Sequence, residues 1–290
     1  MNLFLSSWDL VHVYLTVVRE GSLSSAARKL RTSQPTVRRQ IEALENELKT
    51  PLFTRAPSGL IPTDMGLALR AQAEVAEAAM GAFRRGATGP ALGETGTIRI
   101  TCSEVYGVEI MPALLAKLME KHPGLQIELV LSNRQDDLLK READIAVRLT
   151  EPQQTALIAK KVAQVELGFF ASQDFLKHNP QPKTYLELSE KGRFVGDDRR
   201  DQIARGFAAA KLSLPVDIVL RTDSDLAQLA SIRAGLGIGI AQVTLAKRSG
   251  LVRVLPELKL KLDSWIVMHE DMKHMRRVRL VFDYLVNALE

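Results

Sequence analysis

Gln34, Thr36, Arg38 and Arg39 stand close together in the run Ser33-Gln34-Pro35-Thr36-Val37-Arg38-Arg39-Gln40-Ile41. They carry the groups that read base edges: Gln pairs bidentately with adenine, Arg with guanine, and a Thr methyl meets the thymine methyl. The same run opens a helix, with Ser33 as N-cap and Pro35 in the first turn, where a missing N–H costs nothing. Helix amino-termini also favour phosphate. If Val37, Ile41, Leu44 and Leu48 form the inward stripe, then Gln34, Thr36, Arg38 and Arg39 project from the solvent-facing amino-terminal end.

Two preceding helices must hold that end in place. Leu10, Val11, Tyr14, Leu15 and Val18 recur at helical spacing up to Gly21, a stop signal. Ser22 or Ser24 then caps a short helix whose Leu23, Ala26, Ala27 and Leu30 face inward, and its two alanines let another helix pack close. Arg31-Thr32-Ser33 is the turn of a helix-turn-helix. After the third helix, Leu52 to Arg55 and Leu60 to Thr63 flank Ala56-Pro57-Ser58-Gly59, a two-stranded wing with its turn that brings Arg55 near a nucleic-acid backbone. A plain three-helix bundle with solvated arginines is the competing reading. It leaves Ser-Gln-Pro at a helix start unexplained.

These residues resemble the LysR-type transcriptional regulators. The likeness runs through Glu20-Gly21-Ser22-Leu23, Ala26-Ala27, Leu30, Ser33-Gln34-Pro35, Arg39-Gln40-Ile41, Leu44-Glu45, Leu48, Pro51-Leu52-Phe53, Arg55, Thr63 and Gly66. It implies base or near-base contacts from Gln34, Pro35 and Arg39, and backbone contacts from Ser33, Thr36 and Arg55. One position departs: the family commonly has a small Ser where this chain has Arg38, a long cation that reaches either a guanine edge or a phosphate.

Charge supports the same region. The chain of 290 residues carries a formal net charge of +5, too modest to prove a polyanionic partner by itself. Position is more telling, because Arg28, Lys29, Arg31, Arg38 and Arg39 gather around the proposed reading edge. No apolar run approaches membrane-spanning length and Met1 to Leu5 lacks a signal-peptide pattern, so a cytoplasmic protein with no membrane partner is expected. The single cysteine, Cys102, ends an apolar strand pattern and reads as a buried, inert thiol.

Downstream of the head, Asp64 to Arg85 is alanine-rich, with Leu67, Ala71, Val75, Ala78 and Ala82 on one narrow stripe. So short a head cannot cover such a helix, so pairing with a second copy is expected, as a homodimer or homotetramer on an inverted-repeat operator in double-stranded DNA. Gly86 to Gly96 then reads as a hinge. The remainder alternates strand and helix: strands at 98–102, 127–131, 145–149, 165–170, 194, 218–221, 238–240 and 265–268, and helices at 110–122, 136–141, 224–234 and 275–289.

The fold class is therefore α/β behind a winged helix-turn-helix and a linker helix. The family resemblance implies a two-lobed, periplasmic-binding-protein-like effector domain with a small molecule between the lobes. The expected boundaries are 1–63 for the head, 64–86 for the linker, 87–95 for the hinge and 96–290 for the effector domain. Its first lobe takes 96–163 and 267–290, its second 164–266, with hinges near Val162 and Val267. Ligands of open α/β folds sit beyond the carboxyl ends of strands. That rule selects Ser103, Glu104, Asn133, Arg148, Thr222, Asp223 and Ser224. Ser103, Thr222 and Ser224 have helix capping as a competing role. Asn133 and Arg148 serve equally well to fix loops or to pair with Asp136, Asp137 or Asp144. Glu104 opposes carboxylate effectors and leaves amine-bearing, amphoteric or neutral ones open.

Signals for catalysis and metal binding are weak. His269 and His274 lie five apart, not four, and do not share a helix face. Gly235-Leu236-Gly237-Ile238-Gly239 follows a helix and so lacks the context of a dinucleotide-binding turn. No catalytic residue, metal or cofactor is expected. The rival reading from another class is a small-molecule binding protein without a regulatory DNA role.

Overall fold

The fold is taken from a computed structural model, which describes residues 3–56, 59–87, 93–132, 143–152, 157–198, 207–208, 212–213 and 215–290. The chain divides into two compact units, residues 1–86 and most of 87–290.

The first unit is built on α1 (Leu3–Glu20), α2 (Leu23–Lys29) and α3 (Gln34–Leu48). Gly21, at φ +70°, ends α1 in a conformation that suits glycine. Ser22, not Ser24, caps α2 by accepting from the Ser25 N–H at 3.1 Å. Tyr14, Leu15, Ala26, Ala27, Val37, Ile41 and Leu44 form one buried core. Leu48, expected on that stripe, is 44% exposed because α3 ends there, with Lys49 turning the backbone left-handed.

β1 (Phe53–Ala56) and β2 (Gly59–Pro62) form the expected antiparallel hairpin, in the register Phe53 to Pro62. Its turn residues Pro57 and Ser58 lie outside the described residues. Asp64 to Gly86 is two helices, α4 (Asp64–Ala68) and α5 (Arg70–Gly86), separated by Leu69. Gly66 within α4 lets the start of this segment press against the root of the hairpin: a Cβ there would lie 2.2 Å from the Leu52 carbonyl oxygen.

The second unit holds a nine-stranded sheet of β3 (Gly96–Cys102), β4 (Leu125–Leu131), β5 (Ile145–Arg148), β6 (Leu157–Ala171), β7 (Phe194–Asp197), β8 (Ile218–Thr222), β9 (Ile238–Gln242), β10 (Val252–Val254) and β11 (Leu260–His269). The order β4-β3-β5-β11-β6-β9-β7-β8, with β10 also on β6, splits into two lobes joined through β6 and β11. These two long strands pair antiparallel along most of their length and pass from one lobe to the other. Their register breaks between Ser264 and Trp265, opposite Ala163 and Lys161. The irregularity falls beside Val162 and three residues before Val267, which is buried and paired with Ala146 and Ala159.

Helices fill in the faces. α6 (Glu104–Glu109), α7 (Met111–Lys121) and the closing α12 (Arg276–Leu289) cover the first lobe, where Ile98, Ile100, Met111, Leu118, Ile266, Val281 and Leu285 are buried together. The helix expected over 110–122 is preceded by a separate turn, α6, because Ser103 starts a helix at once and Pro112 lets α7 begin anew after Ile110. α8 (Gln173–His178), α9 (Tyr185–Lys191), α10 (Asp225–Arg233) and α11 (Val243–Arg248) belong to the second lobe. Phe169, Phe194 and Phe207 pack edge-on or tilted at its centre, with centroids 6.2 to 6.4 Å apart. The short helix expected at 136–141 lies outside the described residues.

Candidate nucleic-acid interface and inter-lobe cleft

In the first unit the candidate interface is the start of α3. Ser33 has extended backbone and its Oγ accepts from the Thr36 N–H at 3.3 Å while lying 2.7 Å from Thr36 Oγ1. The sequence forces this arrangement: a hydroxyl at the N-cap satisfies an orphan donor, and Pro35 has no donor to lose. Ser33, Gln34, Pro35, Arg38 and Arg39 are exposed and Thr36 half-buried, over the buried Val37 and Ile41. All six thus share one accessible end, as their spacing requires.

The two arginines differ. Arg38 Nε lies 2.8 Å from Glu42 Oε1, one turn along the helix. Arg39 has no carboxylate within ion-pair distance among the described residues. Beside them, Lys29 Nζ lies 2.6 Å from Glu20 Oε1. That bond, and a weaker one from Ser25, hold the Glu20 carboxyl below the usual range.

A contact that sequence reasoning missed fixes the hairpin to α3. Glu45 Oε1 accepts from the backbone N–H of Leu52 at 2.7 Å and of Phe53 at 3.0 Å. Thr63 repeats the device from the other side, accepting from Gly66 N–H at 3.0 Å and donating to the Pro51 carbonyl at 2.9 Å. Arg55 lies on β1, in register with Leu60; its side chain lies outside the described residues. Glu45 sits seven residues before Leu52, a separation at which no local pattern announces the bond.

Along the α4–α5 segment, Leu67, Ala71 and Val75 of the expected stripe are exposed, whereas Ala78 is half-buried and Ala82 buried. Ala73 faces the head core instead, and Glu77 takes Arg19 at 2.8 Å. Phe83, 74% exposed, is an apolar side chain of the same helix outside those five positions.

In the second unit, the carboxyl ends of β3 and β5 bring Thr101, Ser103, Glu104 and Arg148 to one region. Ser103 caps α6 toward the Tyr106 N–H at 3.5 Å, so the capping role is observed. Arg148 donates through Nη2 to Thr101 Oγ1 at 3.0 Å and through Nη1 to the Val147 carbonyl at 3.3 Å. Asn133 lies outside the described residues. From the second lobe, Ser224 caps α10 toward Ala227 N–H at 3.4 Å, and its own N–H donates to Thr222 Oγ1 at 3.2 Å. Asp223 between them is exposed.

The two groups meet, because Ser224 Oγ donates to Glu104 Oε2 at 2.8 Å. Tyr106 adds a second tie that the sequence did not signal, donating to Ser264 Oγ at 3.2 Å where the crossing strands lose register. Burial pushes its phenol up, with the Ser264 bond opposing. Cys102 is fully buried beneath this region, and burial pushes its thiol up to about 11 against the opposing charge of Arg148. A thiol so held is protonated at neutral pH and inert.

Among the described residues no group of three or more His, Cys, Asp and Glu converges to hold a metal ion, and no helix is long and apolar enough to cross a membrane.

Residues 8–67 match the family described as bacterial regulatory helix-turn-helix protein, lysR family, and residues 91–290 match the LysR substrate binding domain. The transcriptional activator TtdR of Escherichia coli K12 is 27% identical over 291 residues, covering 97% of this chain and 94% of its own. Among solved structures, the full-length Vibrio cholerae virulence activator AphB shares 23% identity at a TM-score of 0.64, covering 100% of both chains. Full-length CbnR in complex with its target DNA shares 17% identity at a TM-score of 0.70, covering 97% of this chain and 98% of its own. At these identities the structural likenesses speak for the fold. With both family matches in place over a winged helix-turn-helix and a two-lobed α/β domain, the chain belongs to the LysR-type transcriptional regulators.

Proposed function

We propose that this regulator reads an inverted-repeat operator through the amino-terminal end of α3, under control of a small molecule held between the lobes. The observation that carries the reading is the Ser33-capped, exposed end of α3, tied through Glu45 to the wing beside it. Gln34, Pro35 and Arg39 contact bases; Ser33, Thr36 and Arg55 contact the backbone; Arg38 joins either set once it leaves Glu42.

Two copies pair through the α4–α5 segment, where Leu67, Ala71, Val75 and Phe83 remain exposed. Pairing covers that surface and sets two heads on one duplex, as dimer or tetramer. We assign residues 1–63 to the head, 64–86 to the pairing segment, 87–95 to the hinge and 96–290 to the sensor, with lobes 96–163 plus 267–290 and 164–266. The effector lies against Ser103, Glu104, Asn133, Arg148, Thr222, Asp223 and Ser224. It shifts the balance of lobe arrangements and hence the geometry of the paired heads.

The chain works in the cytoplasm, without catalysis, cofactor or metal. A role as a binding protein without DNA contact is disfavoured by the exposed reading end of α3. Mapping of chromosomal sites bound in growing cells tests the reading. Discrete sites sharing an inverted repeat are expected, and neighbouring genes then point to the effector's chemistry. Uniform, sequence-independent occupancy would contradict it.

A further inference from the structure

Two bonds join the lobes along one pair of helices. At the amino ends of α6 and α10, Glu104 Oε2 accepts from Ser224 Oγ at 2.8 Å. At their carboxyl ends, Arg233 Nη1 lies 2.8 Å from Glu109 Oε1. α6 belongs to the first lobe and α10 to the second, so helices of opposite lobes run alongside each other in the same direction, fastened at both ends. The one proton the Ser224 hydroxyl has to donate goes to Glu104, while its oxygen accepts from the Ala227 N–H, so it has no donor left for a second carboxylate. A second carboxylate brought to that hydroxyl would stand beside Glu104 at like-charge distance. Arg148, the nearby cation, is already bonded within its own lobe to Thr101 and the Val147 carbonyl.

We propose that Glu104 is a built-in carboxylate that fills the place an acidic effector would need, closing the α6–α10 side of the cleft without a ligand. Glu104 thereby sets effector specificity: neutral or amine-bearing molecules are accepted and small carboxylates are refused. The proposal rests on the reading of the cleft as the effector site.

Amide hydrogen exchange on the full-length protein tests it, comparing wild type, Glu104→Ala, Glu104→Gln and Ser224→Ala, each with and without sodium acetate in the tens of millimolar and with sodium chloride as the ionic-strength control. Removing Glu104 should speed exchange in α10, which lies in the opposite lobe, by about tenfold, the loss expected for one charge-assisted hydrogen bond. Acetate should reverse this in Glu104→Ala, where the place is vacant, and should do nothing in wild type, in Glu104→Gln or in Ser224→Ala. Unchanged α10 exchange in both Glu104 variants would overturn the proposal. So would faster exchange that acetate does not reverse, or acetate protection of the wild type. None of these readouts involves an effector or DNA, so failure here leaves the cleft reading standing. That reading fails separately if Arg148→Ala and Thr222→Ala leave a cellular reporter's response to inducing conditions intact.

Discussion

Arg38 Nε lies 2.8 Å from Glu42 Oε1, so the one residue of the reading end that departs from the family pattern is held by a carboxylate of its own helix. Both side chains are about half exposed, and an exposed i,i+4 pair contributes only about 0.3–0.5 kcal/mol. A phosphate or guanine therefore takes Arg38 from Glu42 at little cost. Arg38→Ala should weaken operator binding, and the loss should grow when Glu42→Gln is already present. A double-mutant cycle by gel-shift titration measures this coupling; strictly additive losses would remove the competition between Glu42 and DNA.

Arg39 has no such competitor among the described residues. Its replacement by Ala should cost about 1–3 kcal/mol of operator binding if it reads a base, with a matching loss of discrimination at one base pair. Titration against single-base operator variants checks it. Equal affinity of wild type and variant would rule out the base contact.

Arg55 is assigned to the phosphate backbone from its place on β1. Arg55→Ala should weaken all sequences alike and flatten the dependence of log affinity on log salt by about one unit. An unaltered slope between low and moderate salt would count against that contact.

Glu45 binds two backbone N–H groups at the start of the hairpin, and its loss leaves both donors without that partner. Glu45→Ala should destabilise the head by about 1–3 kcal/mol and weaken DNA binding through the wing, with α3's exposed end unchanged. Thermal unfolding alongside gel shift separates the two effects. A variant as stable as wild type with normal affinity would show that the hairpin is held by its apolar contacts alone.

The head was legible because its signals are local: a cap, a proline in the first turn, a glycine stop and apolar spacing each act within a few residues. The sensor was less so. β6 reads from the sequence as starting near Val165, yet it begins at Leu157, because Lys160 and Lys161 interrupt the apolar pattern on a part of the strand that is open to solvent. Glu45, Tyr106 and Arg233 act through partners 7, 158 and 124 positions away, as in Tyr106 with Ser264 and Arg233 with Glu109. No spacing rule reaches so far. Ser103 and Ser224 are legible from strand ends, and so are their capping bonds, because each stands directly before a helix. That the lobes join through Glu104 and Ser224 required the fold.

Cys102 gives a test of the sensor's core. Its thiol is pushed up to about 11, above the free value of 9.0, so the folded state holds the proton more tightly. This contribution is fully present below pH 9 and is lost as pH rises from there toward 11, by up to about 3 kcal/mol at about 1.4 kcal/mol per unit. Native protein should resist alkylation by iodoacetamide at pH 8 and react at once when unfolded in guanidinium. Cys102→Ala should lose part of the alkaline destabilisation. Rapid alkylation of the native protein would contradict the burial.

Under the proposed function, α3's amino-terminal end reads a two-fold symmetric sequence. Selection of bound duplexes from a randomised pool with the full-length protein tests it most directly. Enrichment of one inverted repeat by wild type, with altered preference in both half-sites for Gln34→Ala or Arg39→Ala, is the predicted result. Enrichment of nothing, or of an identical repeat by wild type and both variants, would contradict it.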